Sequence, residues 1–203
     1  MEWFISVFAF AFTSTVTPGP NNVMIMTSGL NHGVERSLPH LCGICLGFPL
    51  MVLLVGLGFG AVFERFEFLH WLIKIVGVLY LLYLAWQIAN SAPTSLNGES
   101  KPPFSFLQAA AFQWVNPKAW VMATGAVAAY TSISADIWWQ VGWIVAAFAL
   151  VAFPCVGAWL VFGVLLKRWL SKPSQQRLFN WSMALLLVLS ILPVVAEMLG
   201  LLD

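Results

Sequence analysis

The stretch TSTVTPGPNNVMIMT, residues 13–27, lies inside an apolar segment long enough to cross a membrane, yet two prolines, a glycine and two asparagines stand near its middle. A proline inside a helix removes its own N–H donor and blocks the carbonyl four residues earlier. Pro18 therefore releases the Ser14 carbonyl, and Pro20 that of Val16. Free carbonyls are costly in hydrocarbon, so backbone broken at membrane depth survives only where it is buried in protein or meets a polar cavity. The segment reads as a transmembrane helix interrupted at its centre.

Composition supports the membrane reading. Of 203 residues, 61% are hydrophobic and 8% charged, and the mean hydropathy is +0.88, whereas a soluble domain carries about one quarter charged residues. This is the composition of an all-α polytopic membrane protein. The net charge of +1 and the lack of like-charge runs argue against a nucleic-acid partner. The first residues lack the positive region of a secretory signal and no small-residue cleavage site follows, so the first apolar segment is expected to be retained.

A span needs about 20 mostly apolar residues. Six segments qualify, at roughly residues 4–28, 40–62, 69–89, 105–129, 138–163 and 179–200. Asn31 to Pro39 reads as a polar turn, and the Pro-, Ser- and Gly-containing linker at residues 91–104 divides the chain into halves, 1–90 and 105–203, of three spans each. Two similar three-span halves must cross in opposite senses, which is an inverted-topology repeat. With the N-terminus outside, the inner loops carry Arg36, Lys101, Lys167, Arg168, Lys172 and Arg177 and the outer loops only Arg65, so both termini are expected on the outer, periplasmic side.

The fourth span repeats the peculiarity of the first. Val115-Asn116-Pro117 stands near its centre, as Val16-Thr17-Pro18 does in the first, and Pro117 releases the Gln113 carbonyl. Thr17 and Asn116 have side-chain oxygens suited to N-capping, followed by a proline favoured at the first helical position. Two half-helices would then aim their positive N-terminal ends at mid-membrane, where anions bind. Lys118 adds a full charge at a depth where insertion costs about 2.5–3.5 kcal/mol, which marks it as functional. A carboxylate is expected at the N-termini and Lys118, and an ammonium at the released carbonyls and the side chains of Asn21, Asn22 and Gln113. The candidate binding residues are Thr17, Pro18, Gly19, Pro20, Asn21, Asn22, Gln113, Asn116, Pro117 and Lys118.

Other features read more plainly. Cys42 and Cys45 have the C-x-x-C spacing with His40 nearby, but the βαβ setting of a redox motif and further zinc ligands are missing, which favours small residues on a packed helix. No metal or cofactor is expected. Gly43 and Gly47, and Gly56 and Gly60, have the spacing of close helix contacts. Trp3, Trp71, Trp138, Trp139 and Trp169 read as interfacial anchors, Trp114 and Trp120 flank the second break, and His32, His40 and His70 are expected to be solvated at loop edges.

Thr17-Pro18-Gly19-Pro20-Asn21-Asn22, His32-Gly33 and Asn116-Pro117-Lys118 together resemble the LysE/RhtB family of bacterial amino-acid exporters, over essentially the whole chain. Within it, residues 17–47 and Gln113-Trp114-Val115-Asn116 look most like exporters of cysteine, O-acetylserine and related neutral amino acids. The resemblance implies an inner-membrane secondary transporter rather than an enzyme. No Asp or Glu lies near the centre of any span, which disfavours dibasic substrates, because their second charge would be buried unpaired. The resemblance implies substrates of the cysteine, O-acetylserine, homoserine or threonine type. The expected partners are the lipid bilayer and the amino acid, with a homodimer left open. The alternatives are an importer or a transporter of another small metabolite on the same fold, or an intramembrane redox protein or protease.

Overall fold

The computed structural model describes residues 2–59, 66–90, 102–132, 136–170 and 172–200. Arg65, Lys101, Gly60 and most of the 91–104 linker lie outside the described residues, as does the side chain of His70.

Helix α1 (Glu2–Val16) is followed by a break and by α2 (Pro20–Leu54), which ends in a wide turn at Val55–Phe59. Then come α3 (Glu67–Ala89), the short α4 (Phe106–Phe112) with a tight turn at Gln113–Val115, α5 (Pro117–Tyr130), α6 (Ile137–Trp169) and α7 (Pro173–Met198). No strand occurs among the described residues.

The polar turn expected over Asn31–Pro39 is far shorter than expected. Only Gly33 leaves helical geometry, with φ 78° and ψ −177°, a conformation essentially reserved for glycine. One such residue suffices to turn the chain, and Glu35 and Arg36 meet solvent from the first turn of the following limb. Helix α2 is thus two limbs, residues 20–32 and 34–54.

Among the described residues, four helical stretches are long and apolar enough to cross a membrane, by length and composition: Pro20–Gly58 taken across the Gly33 turn, Trp71–Ala89, Ile137–Lys167 and Pro173–Met198. The stretches expected as first and fourth spans, residues 4–28 and 105–129, fall on α1 with the first limb of α2 and on α4 with α5, pieces each too short to cross alone. Leu79, Leu107, Val121, Leu150 and Leu185 are exposed on the outer surface, as suits contact with lipid tails.

Helix α6 runs along both limbs of α2 and along α1, the second limb of α2 runs along α4, and α3 pairs with α7. Close approach depends on small residues. A Cβ at Gly43 would strike the Phe106 carbonyl of α4, one at Gly47 would stand 2.7 Å from the Ala110 Cα, and one at Gly163 would land on the Met26 carbonyl. Three apolar cores result, one of them joining Ile25, Leu41, Ile44, Ala109 and Leu160 of both α2 limbs, α4 and α6. Val7, Phe48, Met51, Ala123 and Phe148 join α1, the second α2 limb, α5 and α6, while Val23, Leu81, Leu84, Phe112 and Leu187 join the first α2 limb, α3, α4 and α7. Lys74 of α3 and Glu197 of α7 form an ion pair at 2.7 Å.

Candidate functional site

At the first break the helix cannot start before Pro20, because a residue preceding proline is held out of the α region. Gly19 is extended (φ 179°, ψ 178°) and is the N-cap, without a side-chain cap. The expectation that Thr17 caps this helix is therefore corrected. The Thr17 hydroxyl instead donates to the Ser14 carbonyl at 2.9 Å, the group that Pro18 orphans. The Val16 carbonyl, orphaned by Pro20, accepts from the Trp159 indole Nε1 at 3.0 Å. Asn22 spans the break, its Nδ2 donating to the carbonyls of Thr15 and Thr17, each at 2.8 Å.

At the second break Asn116 caps α5, its Oδ1 accepting from the Lys118 amide at 3.2 Å, and Pro117 opens the helix. The Gln113 carbonyl accepts from the Asn116 amide at 3.3 Å. All three carbonyls released by the prolines thus have donors inside the protein, so the expectation that they stand free for a ligand ammonium is corrected. The reason is hydrocarbon: an orphan carbonyl there is too costly to leave unmet.

Two sets of contacts join the breaks. Lys118 Nζ donates to the Thr17 carbonyl at 2.9 Å, the Thr17 hydroxyl at 2.8 Å and the Pro18 carbonyl at 3.2 Å. An ammonium has three protons, and all three are engaged on the opposite half of the chain. Its stem lies over Gly19, where a Cβ would stand 2.7 Å from Lys118 Cδ. The second contact is a reciprocal amide pair: Asn21 Nδ2 donates to Gln113 Oε1 at 2.8 Å, and Gln113 Nε2 to Asn21 Oδ1 at 3.2 Å. Gln113 is fully buried and also donates to the Ala109 carbonyl.

A cavity of about 40 Å³ opens between the breaks, room for a few waters. Of the expected residues, Gly19, Asn21, Asn22, Asn116 and Lys118 line it. Thr17 and Pro18 hold Lys118, Gln113 holds Asn21, and Pro20 and Pro117 set where the two helices begin. The first turns of α2 and α5 meet at this cavity, the Lys118 and Ala119 amides of α5 being held by the Asn116 side chain and carbonyl. Ile44, Phe48, Met122, Ala152 and Val156 supply an apolar wall. Thr15 also lines the cavity, and its hydroxyl is buried without a hydrogen-bond partner.

The sequence reading missed Thr15, Ser14 and Trp159. The hydroxyls are unremarkable by type, and Trp159 lies 143 residues from the carbonyl that it meets. Trp114 and Trp120 pack edge to face at 5.9 Å, with the Trp120 indole on the Trp114 carbonyl at 2.9 Å. His40 is not solvated as expected. It is 3% exposed, because the limb beginning after Gly33 carries it inward. Cys42, Cys45 and Cys155 are free thiols, and no three His, Cys, Asp or Glu side chains cluster as metal ligands among the described residues.

A family model described as LysE type translocator matches residues 12–193. Similar proteins include a cysteine/O-acetylserine efflux protein of Klebsiella pneumoniae, 32% identical over 203 residues and covering 95% of this chain and 97% of that protein. A cysteine/O-acetylserine efflux protein of Escherichia coli strain K12 is 32% identical over 185 residues, covering 88% of this chain and 90% of its own. No solved structure matches the chain.

Proposed function

This chain belongs to the LysE family of translocators, and from that premise we propose that it is a bacterial inner-membrane secondary transporter that exports small neutral amino acids of the cysteine, O-acetylserine, homoserine or threonine type by alternating access. The observation that carries the reading is Lys118, anchored in one helix break and bound to the other beside a cavity flanked by two helix N-termini. A carboxylate entering there meets one full and two partial positive charges. Because the three ammonium protons are already engaged, the carboxylate must replace Thr17 or Pro18 as an acceptor. Substrate binding thereby loosens a tie between the halves, which gives the ligand different affinities for the tied and untied states, as a population shift requires.

In this reading the Thr15 hydroxyl and the side chains of Asn21 and Asn22, which line the cavity, take the ammonium end, and the wall of Ile44, Phe48 and Met122 takes a small uncharged side chain. In this reading six spans form a three-plus-three inverted repeat, residues 1–90 and 105–203 joined by the 91–104 linker, with both termini periplasmic. The reading is supported by the cross-packing of the second limb of α2 on α4, of α6 on α1 and of α3 on α7. The named efflux activity of the relatives supports the substrate class.

The test is purified protein in liposomes, loaded in turn with cysteine, O-acetylserine, homoserine, threonine and lysine, under an imposed pH or sodium gradient. Efflux of at least one neutral amino acid and retention of lysine are expected. If only a different metabolite moves, or only inward, the export reading fails.

A further inference from the structure

A second polar recess, of about 110 Å³, lies at the Gly33 corner and is lined by Thr27, Ser28, Asn31, His32, His40 and Phe104 among others. His40 Nδ1 is buried there without a hydrogen-bond partner, although its ring rests on Phe104 with centroids 5.3 Å apart. A buried polar atom left unmet is destabilising unless something else satisfies it. The hydroxyls of Ser28 and Ser37 lie 2.7 Å apart, and the pair holds one proton more than their mutual bond uses.

The recess is aligned with the breaks. Asn21, Met24, Ser28 and Asn31 follow one another at helical spacing on one stripe of the first α2 limb. Asn21 lines the central cavity, the other three line this recess, and the seven-residue step from Asn21 to Ser28 is about 10 Å. Met24, flexible and apolar, stands between the two.

We propose that this recess is a second binding site for the zwitterionic amino acid, a loading site from which it moves along the first α2 limb to the breaks, with its carboxylate on His40 and the Ser28 hydroxyl. The inference rests on the transporter reading above, in which this end of the limb opens to the cytoplasm. The test is the initial rate of O-acetyl-L-serine efflux from proteoliposomes against its internal concentration. His40→Phe keeps a ring against Phe104 and removes Nδ1. The loss of one hydrogen bond should raise KM about fivefold or more while leaving the maximal rate within about twofold. Asn31→Ala, at the half-buried rim, should act in the same direction, and His40→Asn, with an amide near the Nδ1 position, should restore part of the affinity. Should His40→Phe fail to fold, Asn31→Ala decides alone. Unchanged KM in folded variants, or a fall in maximal rate without a change in KM, overturns the loading site and leaves the exporter reading standing. Absence of amino-acid transport by the wild-type protein overturns both.

Discussion

An added methyl group at Gly19 would stand 2.7 Å from Lys118 Cδ and 3.1 Å from Nζ. The Gly19 backbone is extended, so alanine is sterically acceptable to the main chain itself, and the lysine must give way. Gly19→Ala should therefore reduce the maximal transport rate about tenfold, equivalent to one or two hydrogen bonds of about 1 kcal/mol, while the midpoint of thermal unfolding moves little. Lys118→Gln should match or exceed that loss. Wild-type rates in Gly19→Ala would mean that the position of the ammonium does not matter to transport. Lys118 was legible as unusual because a lysine at that depth needs a reason. Its reach to Thr17, 101 residues away, was not, since nothing local to Asn116-Pro117-Lys118 states which helix the side chain meets.

At the scale of the element, the breaks are held open by donors borrowed from elsewhere. Trp159→Phe keeps the ring bulk and leaves the Val16 carbonyl without its indole partner, which should cost about 1 kcal/mol and lower the unfolding midpoint in detergent. Gly163→Leu should do far more, because any side chain there lands on the Met26 carbonyl of the first α2 limb. The folded yield measured by gel filtration should fall steeply in that variant and little in Trp159→Phe. Equal behaviour of the two would contradict the close approach of α6 and α2. The prolines located both breaks in the sequence, since proline acts on its own helix. The cap was misread because Thr17 has the right side chain, whereas the helix start is fixed by Pro20 and the extended residue before it.

For the whole molecule, lysine and arginine in the short loops predict which ends face outward. In a variant with Cys42, Cys45 and Cys155 replaced by alanine, which should retain transport, single cysteines at Glu2 and Gly200 should react with a membrane-impermeant thiol reagent in spheroplasts. Cysteines at Glu35 and Lys172 should react only after lysis, and early labelling at Glu35 would invert the proposed topology. The sequence alone determined the all-α membrane class, the approximate limits of the apolar segments and the two mid-segment interruptions. Hydropathy, helical length and the missing proline N–H are properties of short stretches, and they hold whatever those stretches pack against. Tertiary structure alone decided that the released carbonyls are met by Thr17, Trp159 and Asn116, that Asn21 pairs with Gln113, and that His40 is buried at a second recess. Trp159 and Val16 stand 143 positions apart and Asn21 and Gln113 stand 92 apart, and such partners are chosen by how closely glycines let the helices approach.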